Sequence, residues 1–164
     1  MSFTMNTFLH QAEATALDRR LQSPDDMVDL RTSPLVRSVI GAAIEVHRAL
    51  GPGLLEAAYE ECLAFEMSDR GIAWRRQVAL PVIYRSVKVD CGFRVDFVVE
   101  DRLLLELKSV EQLHPVHISQ LLTYLKLTHA EQGLLINFNV PRLTDGIKSY
   151  LSETRRPPLA AGDA

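Results

Sequence analysis

Cysteine is scarce in this chain: Cys62 and Cys91 are the only two among 164 residues. Two thiols at that spacing exclude a disulfide framework and a cysteine-ligated zinc site, and they suit a reducing compartment. Long apolar runs are missing too, so no stretch reaches the roughly 20 residues that a membrane-spanning helix needs. Residues 1–30 contain acids and no apolar signal-peptide segment, so export is not expected and the cytoplasm is the expected location. There is no basic excess either. Eighteen Lys and Arg face 21 Asp and Glu, for a net charge of −3 and a pI near 5.9. That is not the balance of a general nucleic-acid binder, although local patches decide such binding more than the sum does. Internal repeats are absent. What remains is an ordinary globular composition, 47% apolar and 24% charged, in a chain long enough for one domain with its own core.

The chain divides into three parts. Residues 1–33 read as an extension, in which Phe8, Ala12, Leu17 and Leu21 could line a short amphipathic helix before Ser23-Pro24-Asp25-Asp26 breaks it. Residues 34–152 read as the folded domain. Residues 153–164, with Arg155-Arg156-Pro157-Pro158, read as a disordered tail. Within the domain Ser33-Pro34 starts a helix whose apolar positions run from Leu35 to Leu50, and Gly51-Pro52-Gly53 stops it. A second helix is predicted from Leu54 to Arg70, with Leu55, Tyr59, Cys62, Leu63 and Phe65 on its apolar face. Strands follow at 76–84, at 87–99 and at 102–108. A helix begins at Pro115, a fully buried strand covers 132–137, and a last short helix is predicted over 143–151. Helix, helix, three strands, helix, strand describes an α/β sandwich around a mixed sheet.

Three charges stand out against this apolar background. Asp96 lies in Val95-Asp96-Phe97-Val98-Val99, and Glu106 and Lys108 lie in Leu103-Leu104-Leu105-Glu106-Leu107-Lys108. An unpaired ion in a buried strand is costly, so the three need partners. Glu106 and Lys108 are two apart and project from one face. Whether Asp96 joins them depends on the hairpin register. A two-residue loop would send the charges to opposite faces, whereas a three-residue loop over 100–102 sets Asp96 opposite Glu106, and an odd-length loop or a bulge is predicted. Asp96, Glu106 and the Leu107 carbonyl would then offer hard oxygen ligands to Mg²⁺ or Mn²⁺, with Lys108 placed to orient water or stabilise charge on a phosphoryl group. The bland alternative is a salt bridge, such as Glu106 with Arg94. Glu56 and Tyr59 share a face of the second helix, where Glu56 taken alone reads first as a surface acid favoured by the helix dipole. His117, Gln120 and Tyr124 share a face of the later helix, where Gln120 and Tyr124 taken alone read first as a satisfied core pair.

Taken together these pieces resemble a known family. Gly53-Leu54-Leu55-Glu56-Ala57-Ala58-Tyr59 is similar to the motif of the GxxExxY proteins, a branch of the PD-(D/E)XK nuclease superfamily. The resemblance runs from about Val36 to Tyr150. It includes His47-Arg48-Ala49-Leu50-Gly51-Pro52-Gly53, Arg94-Val95-Asp96-Phe97, Glu106-Leu107-Lys108, Gln120-Leu121-Leu122-Thr123-Tyr124 and Gly133-Leu134-Leu135-Ile136-Asn137-Phe138. It implies an αβββαβ core, a central mixed sheet flanked by helices, and a metal site at the sheet's centre. It also implies Glu56, Asp96, Glu106, Lys108, Gln120 and Tyr124 as catalytic residues, with Asp96, Glu106, Glu56 and the Leu107 carbonyl around Mg²⁺ or Mn²⁺. Gln120 and Tyr124 would help to orient Lys108 or the nucleic-acid backbone. Val95 stands where the name-giving proline of the superfamily would be.

The leading expectation is a divalent-metal-dependent phosphodiester hydrolase acting on nucleic acid, DNA before RNA, with Arg75, Arg76, Arg85, Lys88, Lys126 and Lys148 as candidate contacts. A homodimer is a further expectation, because a single small domain that cuts duplex DNA often works as one. The alternative is a nuclease-fold binding or assembly protein with little activity, and a third reading is a metal-dependent nucleotide hydrolase. An open basic groove would favour a polymer, and a closed pocket a nucleotide.

Overall fold

A computed structural model describes residues 33–90, 92–128 and 130–152. The expectations for residues 1–32 and 153–164 therefore lie outside the described residues. Helix α1 (Pro34–Leu50) begins as the Ser33-Pro34 signal predicts, with Ser33 extended at the cap position and Pro34 in the first turn. It ends at Gly51, whose φ of 68° is the left-handed conformation that glycine adopts without penalty. Helix α2 (Glu56–Asp69) starts two residues later than expected.

The predicted strand 76–84 is two strands, β1 (Trp74–Ala79) and β2 (Val82–Tyr84), parted at Pro81, which cannot donate to a ladder. The predicted strand 87–99 is likewise two, β3 (Val87–Val89) and β4 (Arg94–Val99). Next come β5 (Leu103–Lys108), helix α3 (Pro115–Leu127) and β6 (Gln132–Asn137). The helix predicted over 143–151 is instead a single 3₁₀ turn (Leu143–Gly146) followed by strand β7 (Ile147–Leu151). Pairing with β6 overrides the local helical spacing there, as tertiary context commonly does in short segments.

The main sheet has the order β1-β4-β5-β6-β7, while β2 and β3 form a separate hairpin. Only β5 and β6 run parallel, joined through α3; the other neighbours are antiparallel. Helices α1 and α2 cover one face, where Val39, Ala43, Tyr59, Leu63 and Met67 meet Phe97, Leu105, Leu107, Leu134 and Phe138. Helix α3 covers the other, where Ile118, Leu121, Tyr124 and Leu125 meet Val95, Val98, Leu104, Leu135 and Tyr150. All six β6 residues are buried, as a strand covered on both faces requires. This is the expected α/β arrangement, a mixed sheet with helices on both sides. The apolar face of α2 differs from the prediction: Tyr59, Leu63 and Met67 recur every four residues and are buried, while Leu55 and Phe65 are exposed. No helix among the described residues is long and apolar enough to cross a membrane.

Tyr59 ties the two helices together. Its hydroxyl donates to the Gly51 carbonyl at 2.6 Å and accepts from the Leu54 N–H at 3.1 Å, and its ring stacks on Phe138 with centroids 4.4 Å apart. Both glycines of the connecting turn have positive φ, 68° at Gly51 and 100° at Gly53. Tyr59→Phe keeps the stacking and removes both bonds, leaving two polar backbone groups without their partner. The expected loss is about 1–3 kcal/mol in urea-unfolding free energy; an unchanged midpoint would show that the hydroxyl does not hold the turn.

Candidate metal centre

The hairpin between β4 and β5 turns through residues 100–102, with Phe97 opposite Leu105, Val98 opposite Leu104 and Val99 opposite Leu103. Glu100 and Asp101 both take positive φ, 49° and 54°. The loop therefore has the predicted odd length, and extending its register by one residue brings Asp96 level with Glu106. The ladder itself stops at Phe97–Leu105, although both strands continue. Beyond that point Asp96 Oδ2 accepts the Leu107 N–H at 2.7 Å. A carboxylate stands where a backbone carbonyl would complete the sheet. Lys108 O accepts from the Phe138 N–H on the β6 side at 2.8 Å. By the alternation of an extended strand, the Leu107 carbonyl then faces the opened β4 side.

A second distortion lies across the same position. Gln77 of β1 falls between the pairs Arg76–Phe97 and Val78–Val95, opposite Asp96, and has a φ of 52°. Such a value within a strand is strained for a non-glycine residue. Both strands change face there. Trp74, Phe97 and Val99 pack towards α1 and α2, whereas Val78, Leu80 and Val95 pack towards α3. In a regular strand, residues two apart would stay on one face. The paired flip places Asp96 between the two cores. Gln77 Nε2 donates to Asp96 Oδ1 at 3.3 Å and to Glu60 Oε1 at 3.0 Å. Glu60 is also within 3.3 Å of Arg76 Nε.

Glu106 is 2% exposed. Its Oε1 takes the Lys108 ammonium at 2.8 Å, while its Oε2 is buried and has no hydrogen-bond partner. Its partner is thus Lys108 and not Arg94, which is exposed. Lys108 Nζ is also 3.9 Å from Glu56 Oε1, at the start of α2. Burial, and then the Asp96 carboxylate, push Glu106 up to about 7. Burial also raises Asp96, against the pull of the Leu107 N–H and Lys108. Burial works against the Lys108 charge, but the bond to Glu106 and the surrounding acids hold its pKa above the usual lysine value. Lys108 is therefore a cation at neutral pH.

Helix α3 closes the far side. Gln120 Nε2 donates to the Tyr124 hydroxyl at 2.7 Å, so the two form a bonded pair with Tyr124 buried. Burial raises the Tyr124 pKa, and the Glu106 and Asp96 charges add to the effect. His117 accepts the His114 N–H at 3.1 Å; burial and then the Lys108 charge lower its pKa. Glu56, Asp96, Glu106, Lys108, Gln120 and Tyr124 thus converge on one region. Sequence reasoning missed Glu60 and Gln77. Glu60 was discoverable as the acid one turn beyond Glu56; Gln77 was not, because its place opposite Asp96 comes only from strand pairing.

The profile of the PD-(D/E)XK nuclease superfamily matches residues 33–150. The chain belongs to the PD-(D/E)XK nuclease superfamily. No curated protein and no solved structure matches it. The superfamily points to metal-dependent phosphodiester hydrolysis, and the residues present suit a hard divalent cation. Two carboxylates stand together in a buried setting, and one of their oxygens is without a partner. They form a two-carboxylate centre: no group of three or more His, Cys, Asp or Glu placed to hold a metal occurs among the described residues.

The metal-free protein should report the strain of this centre. A carboxyl whose folded pKa is raised from 4.5 to about 7 contributes stability below pH 4.5 that is lost as the pH rises through 7. Wild type should therefore lose on the order of 1–3 kcal/mol more than Glu106→Gln between pH 5 and pH 8 in EDTA. Parallel pH profiles of the two proteins would show that Glu106 ionises at its ordinary pKa.

Proposed function

We propose that this chain hydrolyses phosphodiester bonds of DNA, with Mg²⁺ or Mn²⁺ held by Asp96 and Glu106. The observation that carries this reading is the partnerless buried Glu106 Oε2 beside a second carboxylate. Without a cation such an oxygen costs about 1–3 kcal/mol or more, and a divalent ion is the ligand that relieves both its solitude and the repulsion from Asp96. The Leu107 carbonyl, facing the opened strand edge, is the further oxygen of the set, while Glu56 at the start of α2 faces Lys108 rather than completing a three-acid group. A bound cation would supply Lewis acidity towards the phosphoryl oxygen and the attacking water.

The remaining roles belong to side chains. Lys108 is charged at neutral pH and so acts as an electrostatic group rather than as a base, orienting water or stabilising the extra negative charge of the transition state. Its bond to Glu106 holds it in place before substrate arrives. The Gln120–Tyr124 pair walls the α3 side and limits where Lys108 can swing. Gln77 holds Asp96 in line by bridging it to Glu60, whose charge still adds to the rise in the Asp96 pKa. Two clefts among the described residues, of about 440 Å³ beside His47 and Arg142 and about 290 Å³ beside Cys62 and Phe65, are not lined by these residues. A centre at an open strand edge suits a polymer better than an enclosed nucleotide.

Asp96→Asn is a cleaner test than Asp96→Ala, since asparagine keeps an acceptor for the Leu107 N–H. In Mn²⁺ calorimetry wild type should bind and Asp96→Asn should bind at least about tenfold more weakly. Lys108→Ala should bind Mn²⁺ as well as or better than wild type, yet fail to nick plasmid DNA. Wild type that takes up no Mn²⁺, with or without DNA present, would sink the reading and favour a nuclease-fold binding protein.

A further inference from the structure

Between β1 and β4 the chain makes a detour that the main sheet does not use. Strands β2 and β3 pair only with each other, Val82 opposite Val89 and Tyr84 opposite Val87, through the two-residue turn Arg85-Ser86. Ile83, Tyr84 and Val87 are 69%, 63% and 57% exposed. An isolated hairpin is marginal in water, and exposed apolar residues on one commonly mark a contact surface. At its tip Arg85 has a φ of 55°, where a two-residue hairpin turn ordinarily takes glycine or asparagine. A strained arginine at an exposed tip has only the neighbouring Tyr84 ring to rest on, which points to its guanidinium being used. That guanidinium lies 5.5 Å from the centre of the Tyr84 ring.

Charge and position identify the occupant. Residues 80–94 contain Arg85, Lys88 and Arg94 against Asp90 alone, in a chain whose net charge is −3. The other predicted basic contacts on β1 are engaged: Arg75 pairs with Asp101, and Arg76 with Glu60 and Glu61. The hairpin leaves β1 two residues after Gln77 and rejoins β4 two residues before Asp96. Its base is closed by the Leu80 N–H donating to Phe93 O at 2.9 Å, and Phe93 stands edge-on to Tyr124 with centroids 6.2 Å apart. The basic arm is therefore continuous with the candidate metal centre.

We propose that the β2–β3 hairpin is a DNA-contacting arm, with Arg85 and Lys88 meeting phosphates beside the bond to be cut and Tyr84 lying against the nucleotide surface. This rests on the DNA-hydrolase reading. A two-stranded ribbon fits the wide major groove of B-form DNA, whereas the major groove of A-form RNA is too narrow for side chains to read.

Fluorescence anisotropy of a labelled 30-base-pair duplex in EDTA, over a salt series, tests it. Arg85→Gly combined with Lys88→Ala should weaken binding roughly tenfold or more and lower the slope of log K against log salt by about two, near 0.9 for each lost phosphate contact. Tyr84→Ala should weaken binding and leave the slope unchanged. Arg85→Gly alone should keep or raise the melting temperature while lowering affinity, because glycine relaxes the turn, and Mn²⁺ uptake should be unaltered. If wild type binds the duplex and the variants match it in affinity and slope, the arm is not the contact and the hydrolase reading stands. Equal affinity for a 30-base-pair RNA duplex, or a shift from dimer to monomer in Tyr84→Ala, would also overturn the arm alone. Wild type that binds neither Mn²⁺ nor duplex overturns both.

Discussion

The bond from the Leu107 N–H to the Asp96 carboxylate is the contact on which the candidate centre depends. It lets β4 leave β5 without stranding a backbone donor, and a buried unpaired N–H is rarely tolerated. Because the acceptor is a side chain, the strands can diverge and the sheet opens where two carboxylates face each other. A regular ladder would have closed this space. The apolar residues on either side are buried in ordinary fashion, so the opening is confined to a few residues within an otherwise continuous sheet.

The paired irregularities at Gln77 and Asp96 complete the device. Each strand changes face there, and the left-handed backbone of Gln77 is the conformational expense of that change. Local strain of this kind persists when surrounding structure over-determines it, and here two cores and a bridging amide do so. The Gln77 amide separates Asp96 from Glu60, while Lys108 balances Glu106 and reaches towards Glu56. The region is acidic in net terms, with one buried oxygen left over. That imbalance gives it the chemical character of a cation site. Negative charge gathers at the centre, whereas positive charge gathers on the hairpin beside it.

The motif residues divide by physical task. Tyr59 holds the turn between α1 and α2 and stacks in the core, so it shapes the site without lining it. Gln120 and Tyr124 bond to each other, which satisfies two polar groups that burial would otherwise penalise. Here the core-pair and site-wall readings coincide. Glu56, by contrast, begins its helix half exposed, where the dipole favours an acid and where it can still reach Lys108. A residue type alone does not separate these tasks; its hydrogen-bond partners do.

Much of this was legible in the residues. Apolar periodicity and the Pro and Gly stops located the three helices and the buried β6. Charges in a buried run marked Asp96, Glu106 and Lys108, and the loop-length argument over 100–102 gave their register, because parity alone decides which face a hairpin residue takes. Periodicity failed at β7, where a five-residue segment carries too little local preference to resist pairing with β6. It also failed on α2, where Phe65 fits an apolar pattern yet faces outward. The face change at Gln77 and Asp96, the separation of the β2–β3 hairpin, and the Glu60–Gln77–Asp96 bridge were decided by the tertiary structure. The face change and the bridge depend on contacts between residues 17 or more positions apart, and the hairpin separates because β1 pairs with β4 around it. Local propensity carries no record of such partners, so the sequence by itself determined which chemistry was present and the fold decided how it was held.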